Sequence, residues 1–282
     1  MKIIAPIGIL ICLGGLVSNG LVLGLLGLSL KLGGFTVFIF HLSLADFLYL
    51  SCQTVLFMQI ILATFHGIMF DVRYMGILTY TSYTVGLCVL TAISVTRCLS
   101  VLHPIWCRLH APRHAPTVVC SLIWVLSGSG NVYISLVCWA DGFIDCESCF
   151  VSVEVSAVLC SVLLSVTVMG ILTVLFKVRC GTQRRPPLKL YITVLLTVLF
   201  LLFAFPVCIT LHLVRSPNQY YVASVQLLSC VNSSANPLVY YFVGRIGGRR
   251  RGENLREAFQ KTLGEDSTLT RDSSSGAVNS SG

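Results

Sequence analysis

Two charged side chains sit within long apolar stretches of this chain, and they have the most chemistry to offer. Asp46 ends the run Leu42-Ser43-Leu44-Ala45-Asp46, and Arg97 lies in Thr96-Arg97-Cys98. A charge at membrane depth is costly, and it persists where it is paired, hydrated or part of a working site. Asp46 offers oxygen ligands, which suit hydrogen-bond donors or a hard cation. The carboxamides Asn19, Asn232 and Asn236 complete a candidate buried polar network that would hold water or sodium. Arg97 offers a fork of five donors on a delocalised cation. The plainer alternatives are a satisfied structural carboxylate for Asp46 and a snorkelling anchor for Arg97. Pro206 removes a backbone N–H from an apolar run, so it marks a place where a helix can bend.

These residues need helices to position them. The chain has 282 residues, 55% hydrophobic and 11% charged, whereas soluble domains carry about 25% charged residues. Apolar runs of membrane-crossing length fall near Ile3–Leu30, Phe35–Phe65, Tyr74–Val95, Ala115–Ala140, Val155–Phe176, Leu190–Val214 and Gln219–Gly244. Lipid gives free backbone groups no partners, so helices are expected. A membrane β-barrel would show short alternating segments instead. The expectation is an all-α bundle of seven transmembrane helices over residues 1–244.

Seven crossings put the termini on opposite sides. Lys31, Arg108, Arg113, Lys177, Arg179, Arg184, Arg185, Lys189 and seven basic residues after Gly244 share one side, against Lys2, Arg73 and Arg215 on the other. Basic loops stay in the cytoplasm, so the C-terminus is expected inside and the N-terminus outside, at the plasma membrane. The net charge of +8 is then inner-face charge. It does not argue for nucleic acid, and no zinc or RNA-binding motif accompanies it.

The first apolar run is too long for a signal-peptide core, so span 1 is expected to act as its own insertion signal; a missing upstream segment is the alternative. After span 7, Leu255, Ala258, Phe259 and Leu263 make one apolar stripe, so residues 245–264 are expected to form an amphipathic helix on the membrane surface. Residues 265–282 are Ser/Thr-rich and expected to be disordered. Their hydroxyls offer phosphorylation sites for arrestin recruitment, or serve only as a solubilising tail.

Asn19, Leu42 to Asp46, Thr96-Arg97-Cys98 with Pro104, Trp124, Pro206, and Asn236-Pro237-Leu238-Val239-Tyr240 occur in this order along a chain of seven spans. Together they resemble the rhodopsin-like receptors over about residues 3–263. Thr91 to Val95, Arg97 to Leu102, Pro104-Ile105-Trp106, Pro112-Arg113-His114, Asn232 to Pro237 and Tyr241 to Gly244 resemble the Mas-related G-protein-coupled receptors in particular. The resemblance implies a receptor, not an enzyme, that passes an extracellular signal to heterotrimeric G proteins without a cofactor. It assigns G-protein coupling to Arg97, Pro104, Ile105 and Tyr240, and the activation switch to Asn236, Pro237, Tyr240 and Pro206. It implies a disulfide joining spans 4 and 5, which favours Cys138 with Cys149; the residues alone leave Cys138 with Cys146 open. Candidate ligand contacts are Tyr80, Tyr83, Glu154, Phe205 and Tyr221, although outer aromatics also serve as interface anchors. The acidic loop of Asp141, Asp145 and Glu147 would attract a basic peptide or cationic amphiphile.

The chain departs from the pattern at three positions. Thr96 stands where these receptors carry an acidic residue before the arginine, so raised basal activity is expected. Ala204 replaces a tryptophan, and Gly86 removes a span 3 hydroxyl from the sodium network. Competing classes fare worse. An intramembrane serine protease needs Gly-x-Ser-Gly, and Ser127 replaces the first glycine before Ser129-Gly130. A transporter needs a polar path and commonly internal repeats; neither is visible. A degenerate receptor that no longer couples is the remaining alternative.

Overall fold

The computed structural model describes residues 3–28, 34–103, 107, 112, 114–140, 147–180 and 219–247. They form six long helices: α1 (Ile4–Gly27), α2 (Gly34–His66), α3 (Arg73–Leu102), α4 (Ala115–Ala140), α5 (Glu147–Cys180) and α6 (Gln219–Gly247). The helix α6 is the seventh expected span. Four stretches, Ile4–Gly27, Gly34–His66, Tyr74–Leu102 and Ala115–Cys138, are long and apolar enough to cross a membrane. The expected span Leu190–Val214 with Phe205 and Pro206, the segment of Pro104 and Ile105, and residues 248–282 lie outside the described residues.

Several helices outrun the apolar reading. The helix α3 continues from Val95 to Leu102, so Arg97 sits five residues before its end. The helix α5 begins at Glu147 instead of Val155, so Glu154 lies two turns inside it, and α6 continues past Gly244 to Gly247. A hydropathy reading stops at the first charges, but glutamate, lysine and arginine are good helix formers and backbone bonding continues through them. Gly67 ends α2 with φ of 66°, a left-handed conformation that suits glycine.

Apolar and polar faces are arranged for lipid. Leu10, Leu13, Val17 and Leu21 of α1, Val118, Leu122, Val125 and Leu126 of α4, and Leu159, Val162 and Met169 of α5 are exposed. Asn19, Thr36, Ser43, Asp46, Gln53, Thr91, Ser94, Thr167, Asn232, Ser233 and Asn236 are buried. Lipid tails match the outward face, so close packing and interhelical hydrogen bonds must hold the helices together. The helix α2 packs against α1, α3, α4 and α6, while α3 also contacts α4 and α5.

The seam along α1 shows how close that packing is. Its buried stripe runs Ala5, Gly8, Cys12, Gly15, Asn19, Val22 and Leu26. A Cβ at Gly8 would fall 2.6 Å from Phe57 Cε2, and one at Gly15 would fall 2.6 Å from Leu50 Cδ1 and collide with Ser234. Beside it, Ser234 Oγ donates to the Ile11 carbonyl at 3.2 Å. Gly15→Leu is therefore expected to destabilise by about 1–3 kcal/mol or more through overpacking. Gly14, where an added Cβ would meet nothing within 4 Å, is the control. Surface expression and thermal inactivation in detergent should worsen for Gly15→Leu and stay near the parent for Gly14→Leu.

Candidate functional site

A constant antiparallel register between α2 and α3 brings the two charged residues into one frame. Tyr49 of α2 faces Tyr83 of α3, with ring centroids 5.8 Å apart. One turn on, Asp46 and Gly86 line the same cavity. Eleven residues further along each helix, Phe35 meets Arg97, with the guanidinium carbon 4.2 Å from the ring centroid. At 1.5 Å per residue the two levels are about 16 Å apart.

At the upper level Asp46 is 5% exposed. Asn236 Nδ2 donates to Asp46 Oδ2 at 2.7 Å, and the Ser233 side chain also bonds Asp46. Asn19 joins the cluster for a backbone reason. Pro237 has no N–H to give the Ser233 carbonyl four residues earlier, and in lipid such a freed group needs another partner. Asn19 Nδ2 takes that role, donating to Ser233 O at 3.1 Å and to Gly15 O at 2.9 Å. The sequence-predicted set of Asn19, Asp46, Asn232 and Asn236 is thus gathered in one place, with Pro237 as the cause of one of its bonds.

The cavity is lined by Leu42, Asp46, Tyr49, Ser82, Tyr83, Gly86, Leu87, Leu90, Asn232, Ser233 and Asn236. Its volume of about 20 Å³ is enough for a water or a small cation, since one water needs roughly 10–15 Å³. The amide oxygens of Asn19, Asn232 and Asn236 are buried without a hydrogen-bond donor. Buried acceptors of that kind are normally satisfied by water or an ion. The oxygens of Asp46, Asn232 and Asn236 fit a hard cation, but α3 offers Gly86 at this level, where a Cβ would meet nothing within 4 Å. Among the described residues no group of three His, Cys, Asp or Glu could hold a metal.

At the lower level Thr96 is exposed and its hydroxyl donates to the Ala92 carbonyl of its own helix at 2.6 Å, turned away from Arg97. Other polar contacts tie the helices together. Thr167 of α5 bonds the Thr91 hydroxyl at 2.9 Å, and Ser94 donates to the Thr167 carbonyl at 3.0 Å. Trp124 Nε1 of α4 donates to His41 Nδ1 of α2 at 3.2 Å.

The remaining predicted residues separate. Tyr83 lines the Asp46 cavity, whereas Tyr80 is 59% exposed and does not reach it. Cys138 is buried and disulfide-bonded. Its partner lies outside the described side chains, as do the side chains of Cys149, Glu154, Tyr221 and Tyr240. Cys12, Cys52, Cys88, Cys98, Cys107, Cys120 and Cys230 are not disulfide-bonded. Reading the sequence missed Ser233 and Phe35. Ser233 was detectable as the carbonyl that Pro237 must orphan. Phe35 gave a weaker signal, an aromatic at the foot of span 2 beside an arginine that lacks its acidic neighbour.

Long helices with apolar outsides, a hydrogen-bonded carboxylate in the interior and an arginine near one helix end define a multi-pass helical membrane protein. No family model matches the chain. It is similar to the human Mas-related G-protein coupled receptor MRG, at 34% identity over 99% of this chain and 74% of the relative. It is also similar to the mouse member B2, at 35% identity over 91% of the chain and 79% of the relative, and to member D of Macaca fascicularis, at 34% over 95% and 87%. The chain belongs to the Mas-related G-protein-coupled receptor family. It is a seven-helix receptor of the plasma membrane and not an enzyme, and its partners are in general an extracellular ligand and a G protein.

Proposed function

We propose that this receptor binds a basic peptide or small cationic amphiphile from outside the cell and couples it to heterotrimeric G proteins through Arg97 and Tyr240. The observation that carries the reading is the bond from Asn236 to Asp46 beside Pro237, at the level of Gly86 in the α3 helix that carries Arg97 about 16 Å away. Such an arrangement has two packings to choose between, and a ligand biases them by its differential affinity. Pro206 and Pro237 supply the weak points at which spans 6 and 7 rearrange, and Pro104 and Ile105 complete the coupling surface. The basic residues after Gly244 support a cytoplasmic C-terminus and an outer N-terminus.

Ligand contacts fall to Tyr83, Glu154, Phe205 and Tyr221, with Tyr80 at the bundle surface. The Cys138 disulfide, which we assign to Cys149, would tie the outer end of α4 to α5. The sequence pattern supports a receptor domain over residues 1–244, a membrane-surface helix within residues 245–264 after the end of α6, and a hydroxyl-rich tail over 265–282 open to phosphorylation and arrestin. Water, or sodium with an incomplete ligand set, fills the Asp46 cavity.

The test is to express the full chain and screen a panel of basic peptides for calcium release and for lowered cyclic AMP. A saturable response that Glu154→Gln weakens at least about fivefold is expected for a ligand held by one charge contact of roughly 1 kcal/mol. A chain that reaches the cell surface and promotes nucleotide exchange on no G protein would overturn the coupling.

A further inference from the structure

We propose that Phe35 is a positioning residue that takes the place of the missing acidic neighbour and holds Arg97 in the resting packing; the inference rests on the reading that Arg97 meets the G protein. Three observations carry it. The guanidinium carbon of Arg97 lies 4.2 Å from the centre of the Phe35 ring, well within the roughly 6 Å over which a cation is attracted to a ring face. Thr96, at the position where a carboxylate would stand, is exposed and bonded back to Ala92, so its side chain is turned from Arg97. The ring itself is fixed. Phe35 is 4% exposed and packs in the core that includes Ile39, Leu42, Leu90 and Ile93. Just before it, Gly34 approaches α4 so closely that a Cβ would fall 3.2 Å from Pro116 Cγ.

The chemistry of this contact differs from that of an ion pair. A carboxylate beside Arg97 would lose its own hydration to make the bond, and breaking the pair would leave one charge stranded. A phenyl ring attracts the guanidinium through its face and has no charge of its own to desolvate. The contact is therefore a soft latch. It biases Arg97 toward α2 and yields when a partner of opposite charge offers its edges a better site. The expectation of raised basal activity from Thr96 alone assumed that nothing replaced the carboxylate; with the latch in place, basal activity falls as the electron density of that ring rises.

The experiment uses the full chain in membranes reconstituted with G protein and reads ligand-independent nucleotide exchange, normalised to surface receptor. Phe35→Leu, which keeps an apolar side chain and removes the ring, is expected to raise basal exchange about fivefold, the factor that roughly 1 kcal/mol carries. Phe35→Trp should hold it at or below the parent. Phenylalanines with one, two and three ring fluorines at position 35 keep the shape and weaken the cation attraction stepwise, so basal exchange should climb in that order. Adding Thr96→Glu to Phe35→Leu should bring it back down. Basal exchange that stays flat across the fluorinated series, including at an undetectable level, overturns the latch. Arg97→Ala in the same assay separates the two readings: exchange that survives it removes the coupling role itself, whereas exchange that is lost while the series stays flat removes only the latch.

Discussion

Replacing Arg97 with alanine is expected to silence ligand-driven nucleotide exchange while leaving the receptor at the cell surface. Arg97 lies five residues from the end of α3, partly buried, with its guanidinium over Phe35. Removing it strands no buried counter-charge at Thr96, a neutral residue bonded to its own helix. At a partly buried position near a helix end the fold should tolerate the change, and Phe35 keeps its apolar neighbours. What disappears is the fork of donors that a G protein would meet. Arginines at the centre of interfaces typically contribute about 2 kcal/mol or more, which corresponds to a loss of roughly thirtyfold or greater. Arg97→Lys should fall between, because a lysine keeps the charge but cannot offer the planar fork or stack as well on the ring. The measurement is nucleotide exchange per surface receptor at saturating ligand. An Arg97→Ala variant with the parent's response would remove Arg97 from the coupling site and leave the snorkelling anchor as its role.

Much of this architecture was legible because lipid simplifies the rules. A helix that must satisfy its own backbone and face hydrocarbon announces itself by length and composition, and α1 to α4 were found that way. Their ends were less legible. Charges that hydropathy treats as stops are ordinary helix residues at the interface, so α3 ran on past Arg97 and α5 began before Glu154. The Asp46 cluster was legible from residue types, since few polar groups in the interior leave few ways to pair them. Which residue bonds which was not legible, because it depends on the relative rotation and register of α1, α2 and α6. The link from Asn19 to the Ser233 carbonyl needed both the proline and the neighbouring helix to be placed. Phe35 was overlooked for a related reason. An aromatic at a span end has many ordinary uses, and only the α2–α3 register puts this one under a guanidinium.

Exchanging the partners of the buried bond between α2 and α6 gives the second large expected effect. Asp46 and Asn236 are almost completely buried and share a 2.7 Å hydrogen bond from amide to carboxylate. Asp46→Asn keeps the shape but sets two carboxamides against each other and removes the charge that strengthens the bond. Hydrogen bonds to charged groups contribute roughly 1.5–3 kcal/mol, about ten- to hundredfold in any equilibrium they bias. Asn236→Asp should be worse, because it places two carboxylates within hydrogen-bond range where water is scarce, and both cannot stay ionised at low cost. Asp46→Asn combined with Asn236→Asp restores one amide and one carboxylate in the same contact with the charge moved across it. The double variant should regain much of the surface expression and ligand response that either single change loses, a coupling measured as the departure from additivity in a double-mutant cycle. Asn19 adds a check on locality, since its bonds run to the Ser233 and Gly15 carbonyls and not to the exchanged pair. Asn19→Ala should weaken the parent and the double variant by a similar factor. Losses that simply add in the double variant would mean that the 2.7 Å contact does not govern the packing of α2 against α6.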